Sequence, residues 1–597
     1  MAVSPSPSSS SSSLSSNCTF VQPELPDECW ESILKHINNP HDHESLSLVS
    51  KQFLSFINRI HTHLTISEGV LPLLPALLRR FTSLTSIKLN RKFTGDIDAL
   101  LSQIASFDLP SLRSLDISKQ STFPSHGLRQ FSQKFPSLKS FNCSHTRPDL
   151  FLIAKCFPNL EEIDVSFTSE FEDTDLHVKA LALTSGFKKL RKVDLSRTYF
   201  FEDSSLFTFC QNCVYLEAIA VDECSASKIA IANAIRERPE LRSLEFRLTG
   251  DDMTSELIDT LVSLKFLTFL DLSDALISDE ALCAIAEGGP TLRELYLHNC
   301  KGYGFGGISC LLRKCNNLQC LDLQETVFLN DQCVIELSLL LGNLKVVKLS
   351  MNEKLTDLSL FAIMRNCSWI TEIRMDNTGV GKLHVDCLVV NSHLKFLHLA
   401  LNSGLDDEIV TMIASVSPNL EMIDLTNSCG RISKGAIEVL WRCCKIQCMD
   451  LHGIGLDLPQ FQFRVNFEVP TLFVLNLSMC RISDEEISLL SKSCYNLKEL
   501  NLDCCDITNN GVKQVVKNCK QLRRISLMCC PKVTCDVVAW MVFARPSLRK
   551  IVPPNVDSSD IDRQRDFFLR RGCFVLRSED VDYECWGEDL DFLESHW

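Results

Sequence analysis

The sequence predicts an α/β solenoid, with a parallel sheet lining a concave surface, helices on the convex side, and a small all-α module in front. Three observations carry that prediction. The pattern L-x-x-L-x-L begins at Leu84, Leu112, Leu138, Leu160, Leu190, Leu216, Leu241, Leu267, Leu292, Leu318, Leu344, Ile370, Leu394, Leu420, Ile446, Leu472, Leu497, Leu522 and Leu548, and fifteen of the eighteen spacings are 24 to 26 residues. Between these anchors apolar residues fall at helical spacing, as Val512, Val515 and Val516 do in NNGVKQVVKNC. Residues 24–66 lack the period and instead carry two dense amphipathic helical patterns. No repeat unit can bury its own apolar face, so a chain of 597 residues built this way is held together by stacking, and its core grows by addition.

The elements follow in order. Residues 1–22, MAVSPSPSSSSSSLSSNCTFVQ, are serine-rich and lack a cationic segment followed by an apolar core, so they read as a disordered leader and not as a secretory signal. In residues 23–66, Leu25 and Pro26 precede DECWESILKHI, where Trp30, Ile33, Leu34 and Ile37 recur at i, i+3, i+4 and i+7. A second helix carries Leu46, Val49, Phe53, Ile57 and Ile60. A piece this short cannot bury so much apolar surface alone and needs a partner. Residues 67–554 form the array. With each strand running from anchor +2 to anchor +6, positions +3 and +5 face the core while +2, +4 and +6 face the concave side. Residues 555–597 supply a basic helix and a last apolar strand as a cap, then an acidic tail, SEDVDYECWGEDLDFLESHW. The stretch 452–470 has no clean helical pattern.

Composition excludes several functions. A net charge of −15 without a basic stripe argues against nucleic acid as a partner. No run approaches eighteen uninterrupted apolar residues, so no membrane span is expected. Of 29 cysteines, Cys213, Cys315, Cys367, Cys443, Cys494 and Cys519 each lie three residues before an anchor, where a free thiol packs as a small buried hydrophobe. Equivalent positions are offset by a whole coil, whereas tetrahedral zinc needs four donors converging at about 2.3 Å. The odd total and the missing signal point to a reducing compartment, so neither zinc nor disulfides are expected, and no catalytic pair can be assigned. GYGFGG sets Gly302, Gly304 and Gly307 in G-x-G-x-x-G register with Asp322 twenty residues beyond Gly302, but it lies in phase with the repeats, and Asp322 is a repeat aspartate. His41, His43, His61 and His63 make two H-x-H pairs of the kind that is more often solvated than metal-bound.

The period and the recurrent cysteines resemble the cysteine-containing class of leucine-rich repeats. LPDE, the helix behind it and SLSLVSKQF resemble the F-box, a helical motif that docks onto the Skp-type adaptor of a cullin-RING ubiquitin ligase. Ser50 departs from a cysteine often found there, and Phe53 stands in place of the common tryptophan. Together the two parts are similar to F-box/leucine-rich-repeat proteins of plants, the substrate receptors of SCF-type ligases. The resemblance implies a non-catalytic receptor, cytoplasmic or nuclear, that promotes ubiquitination and proteasomal degradation of a target protein. It implies adaptor contacts from Leu25, Pro26, Trp30, Ile33, Leu34, Leu48, Val49 and Phe53, and through the adaptor an association with cullin and RING subunits. Similar plant receptors bind hormones and an inositol phosphate, but their binding residues do not map here by motif, so no cofactor is assigned. The alternative is a non-ligase repeat scaffold, or a small-molecule-sensing protein whose amino-terminal helices only cap the solenoid.

On the concave face, Arg247, Phe269, Tyr296 and His298 fall on three successive repeats, and Arg374, Phe396 and His398 on two more. Arginine and aromatic side chains on a polar strand face are what binding hot spots use. Position +4 also gives an acidic row, Asp116, Asp164, Asp194, Asp271, Asp322, Asp424 and Asp450, interrupted by Lys348 and Arg374. If that row binds, its target segment is basic.

Overall fold

The computed structural model describes residues 25–37, 43, 46–91, 93–167, 186–199, 202–247, 253–381, 389–428, 432, 434–454, 468–555 and 559–576. The serine-rich leader, His41, most of the 452–470 stretch and the acidic tail lie outside the described residues.

Among the described residues, one parallel sheet of 21 strands runs from β1 (His63–Ile66) to β21 (Phe574–Val575). Each strand pairs with its neighbours in sequence, as Leu270 does with Leu295 and Leu295 with Leu321. Every one of the nineteen anchors is followed two residues later by a strand, so the repeat register read from the sequence is the register of the sheet. Residues at +3 and +5 are inside, as Leu295 and Leu297 illustrate with no exposed surface. Helices such as Asp484–Ser493 and Asn509–Asn518 close the convex side. Their caps are local: Ser483 accepts from the Glu486 N–H while Glu486 accepts from the Ser483 N–H, the reciprocal capping box.

One expectation is corrected. Strands in the body of the array span three residues, +2 to +4, and not five, because the chain turns toward the helix at +7. There, fifteen non-glycine residues among those described, including His145, Asn299, Met351, Asn427, Met479, Cys504 and Cys529, have φ between 45° and 63°. The ladder of hydrogen bonds nevertheless continues past the strand, with the Cys504 N–H donating to the Met528 carbonyl at 2.8 Å. β1 already belongs to the sheet although it lies within 23–66, and β21, within the cap, extends the sheet beyond 554.

The cysteines have a structural account. Cys213, Cys315, Cys367, Cys443, Cys494 and Cys519 are all buried and free. Several donate from sulfur to a carbonyl of the preceding coil, Cys213 to Phe187 at 3.7 Å and Cys443 to Ser417 at 3.3 Å. Burial pushes the Cys367 and Cys443 thiols up to about 12, so they stay protonated donors. A second row at +8, Cys300, Cys480, Cys505 and Cys530, donates to Leu272, Leu451, Leu477 and Leu502 at 3.0 to 3.1 Å. Asn352 and Asn402 hold the same position in other coils and donate to Leu323 and Met375. Cysteine here is a small donor that stitches one coil to the next.

Candidate functional site

Two faces carry the residues expected to bind partners. The first is amino-terminal. Helix α1 (Asp27–Lys35) and helix α2 (Lys51–Ile60, capped by Ser50 accepting from the Phe53 N–H) enclose a small core of Leu34, Phe56, Ile57 and Ile60, with Trp30, Ile37, Leu46 and Phe53 packed against it. Trp30 meets Phe53 edge-on at 5.2 Å. Arg59 of α2 reaches back to α1, donating to Glu31 at 2.5 Å and to Asp27 at 3.0 Å. The module is seated on the array: His61 packs tilted on Phe81 with ring centroids 4.3 Å apart, Arg80 donates to Asn58 at 2.7 Å, and α2 runs directly into β1.

This geometry divides the eight residues expected to touch an adaptor. Leu34 is 1% exposed and, with the partly buried Trp30 and Phe53, builds the mini-core. Leu25, Pro26, Ile33, Leu48 and Val49 are exposed, Leu48 to 87% and Val49 to 66%. Scattered single apolar residues on a surface are ordinary, but here Leu48 and Val49 are adjacent in the chain and precede the α2 cap. Of the four histidines, His61 packs on Phe81 and His43 bonds the Leu34 carbonyl at 2.9 Å. Among the described residues, no group of three or more His, Cys, Asp or Glu side chains is placed to hold a metal ion.

The second face is the concave side of the strands from β9 (Phe269–Asp271) to β14 (Phe396–His398), with β10 at Glu294–Tyr296, β11 at Cys320–Asp322, β12 at Val346–Lys348 and β13 at Glu372–Arg374. Phe269 and Tyr296 lie 5.2 Å apart, both half-buried, and Lys348 stands 5.3 Å from the Tyr296 ring centroid. The Tyr296 hydroxyl donates to Glu294 at 3.1 Å. Arg247, exposed just past its strand, lies 3.6 Å from both Glu245 and Asp271. His298 is half-buried with its Nδ1 unbonded within the protein. Arg374 is held by Glu372 at 2.6 Å. Of the first predicted group, Phe269 and Tyr296 are brought together, with Lys348 beside Tyr296 and Arg247 beside Asp271.

The second group is a correction. Phe396 and His398 are only 6% and 7% exposed. Phe396 belongs to an apolar ladder along position +2 with Met422, Cys448 and Val474, one residue from each successive strand. His398 is kept neutral, its pKa lowered to about 3 by burial and then by the positive charges of Arg374 and Lys348. Reading position +2 down the repeats would have found the ladder, because Phe, Met, Cys and Val in four consecutive units is a mutual packing signal.

The acidic row has a structural role. Each aspartate at +4 accepts the backbone N–H two residues on: Ser118 to Asp116, Ser166 to Asp164, Ser196 to Asp194, Ser273 to Asp271, Gln324 to Asp322, Thr426 to Asp424 and His452 to Asp450, all at 2.9 to 3.1 Å. Asn142, Asn476 and Asn501 do the same, so where this bond is made it needs an acceptor and not a charge. Asp271 and Asp322 are themselves buried. The GYGFGG glycines are packing glycines. A Cβ on Gly307 would lie 2.4 Å from an Asp279 carboxylate oxygen, and the same carboxylate accepts the Gly304 N–H at 2.7 Å. A carboxylate stands where a phosphate would have to sit.

Among the described residues no helix is long and apolar enough to cross a membrane. Comparison with protein families matches an F-box domain over residues 23–64 and a leucine-rich repeat over residues 390–414 and 493–515. Among solved structures the chain is similar to one titled a complex of Rad7 and Elc1 in yeast, at 19% identity over 67% of this chain and 92% of that one, with a TM-score of 0.37. The chain carries an amino-terminal F-box domain followed by a leucine-rich-repeat solenoid.

Proposed function

We propose that this chain is the substrate receptor of an SCF-type ubiquitin ligase, intracellular and non-catalytic, with the F-box docking a Skp-type adaptor and the concave face taking the target. The observation that carries the reading is the division within the F-box domain: Leu34, Phe56, Ile57 and Ile60 close a core, while Leu25, Ile33, Leu48 and Val49 remain outside it. Leucine and valine left outside a closed core are available to a partner, and burying them against one is favourable by about 25 cal/mol per Å². In such a receptor the chemistry belongs to other subunits, and this chain contributes proximity by raising the target's effective concentration.

The target face is centred on Arg247, Phe269, Tyr296, Lys348 and Arg374, with His298 at its rim. Aromatic rings and cations in that arrangement suit an extended protein segment carrying acidic and apolar side chains. This reverses the charge expected from the aspartate row, whose carboxylates are engaged in the coils.

The test is co-purification with a Skp-type adaptor, beside a Leu25→Asp/Val49→Asp variant. Capture by the natural chain alone supports the receptor reading. Capture by neither, from folded protein, leaves a repeat scaffold whose amino-terminal helices serve as a cap.

A further inference from the structure

Position +7 of each coil, where the backbone takes a left-handed turn, forms its own row down the solenoid, and its side chains touch from coil to coil. The Asn299 amide donates to Asp274 at 2.8 Å, the Asn377 amide lies 3.1 Å from the Met351 sulfur, and the His145 ring stacks on Phe167 at 4.2 Å. In the last three regular coils this row reads Met479, Cys504 and Cys529, with φ of 59°, 58° and 57°. All three are exposed, unlike the cysteines of the helix-end and +8 rows. Their strands are in register, Asn476 opposite Asn501 and Asn501 opposite Ser526, which sets Met479, Cys504 and Cys529 opposite one another three residues on.

The spacing decides what such a dithiol can do. Side-by-side coils stand about 4.8 Å apart, and parallel Cα–Cβ bonds keep that separation outward. An unstrained disulfide needs Cβ atoms about 3.5–4.5 Å apart, so closing one would draw the coils together. Tetrahedral zinc needs two further donors, and no such group of His, Cys, Asp or Glu is present among the described residues. Two thiolates bound in line to one soft monovalent ion, with bonds shorter than the about 2.3 Å of Zn–S, hold their sulfurs roughly 4–4.5 Å apart, within reach of side chains on adjacent coils. Thiolate and thioether donors together select Cu(I) among biological cations.

We propose that Cys504 and Cys529 form a surface site for a soft monovalent cation of the Cu(I) class, bound in line between two thiolates, with the Met479 thioether as a third, weaker donor. Binding forms two metal–sulfur bonds and breaks two S–H bonds, with both protons passing to water and no change of oxidation state. The site is independent of adaptor docking and of target capture.

The test is anaerobic titration of the full chain with Cu(I) against a chromophoric chelator, alongside Cys504→Asn/Cys529→Asn and Met479→Leu. Asparagine is the chosen replacement because Asn299, Asn377 and Asn427 already occupy this left-handed position in other coils, so the fold is retained. One ion per natural chain is expected to resist the chelator, with affinity reduced at least a hundredfold in the double variant and several-fold in Met479→Leu. Bound Cu(I) should also protect Cys504 and Cys529 from alkylation while the exposed Cys444 remains reactive. Equal retention by the double variant with an unchanged melting temperature, or no retention by the natural chain, overturns the proposal.

Discussion

The concave sheet holds two stretches built on the same repeat with opposite outcomes. From β9 to β13, Phe269 and Tyr296 stand half-buried among Arg247, Lys348 and Arg374. From β14 onward, Phe396 occupies the same register position as Phe269 and is sealed by Met422 and Cys448. Backbone geometry and residue type are alike, so the neighbouring coils decide whether an aromatic ring is left for a partner or spent on packing. Charge follows the same logic. A cation beside Tyr296 keeps that region polar and open, whereas an apolar residue beside Phe396 closes it.

The comparison can be broken most strongly at Phe396. Replacement by Ala is expected to destabilise the solenoid by about 3 kcal/mol in denaturant unfolding, as for other buried phenylalanines. Phe269→Ala should cost under about 1 kcal/mol. Equal losses at the two positions would contradict the division of the face.

A smaller effect is expected at Asp424, whose carboxyl is pushed up to about 6 by burial and then by the neighbouring Asp450. Because its folded pKa is raised above the unfolded value, the folded chain holds this proton more tightly, and stability falls as pH rises between about 4 and 6. Asp424→Asn keeps the acceptor for the Thr426 N–H, as Asn476 and Asn501 do in their coils. The variant is predicted to be more stable than the natural chain by on the order of 1–2 kcal/mol at pH 7.5 and indistinguishable at pH 4. Melting curves at the two pH values check this. No gain at pH 7.5 would show that Asp424 is not strained by its acidic neighbour.

The smallest stability effect belongs to Tyr296→Ala, expected within about 1 kcal/mol of the natural chain yet sufficient to abolish target capture. Asp271→Lys cannot serve the same purpose, because Asp271 holds both the N–H and the hydroxyl of Ser273, and its loss would disturb the coil. A Tyr296→Ala variant that still captures the target would move the site away from β9–β13.

The fold was legible because a repeat states its register many times. Each anchor from Leu84 to Leu548 precedes its strand by two residues, and the helix-end cysteines are buried as free thiols. The site was legible only in part. Alternation tells which residues point to the concave side, which correctly grouped Phe269 with Tyr296. It says nothing of what the next coil presents, so Phe396 and His398 read as exposed although Met422 and the surrounding strands cover them. The aspartate row misled for a local reason: hydrogen bonds two residues along the chain use the carboxylates, and asparagine in three other coils was the available sign. In the F-box domain, helical spacing found Leu34, Ile57 and Ile60 of the core but missed the buried Phe56, and it put Val49 on the second helix although Val49 stands exposed in the turn before α2.

The central claim is that the outward face of the F-box domain exists to be covered by an adaptor. Its most direct test is calorimetric titration of a Skp-type adaptor into the full chain and into Leu48→Asp, with the melting temperature of each recorded. The account predicts tight binding by the natural chain, at least a hundredfold weakening in the variant, and no change in melting, since Leu48 is 87% exposed. Undiminished adaptor binding by Leu48→Asp, or a large loss of stability in that variant, would contradict it.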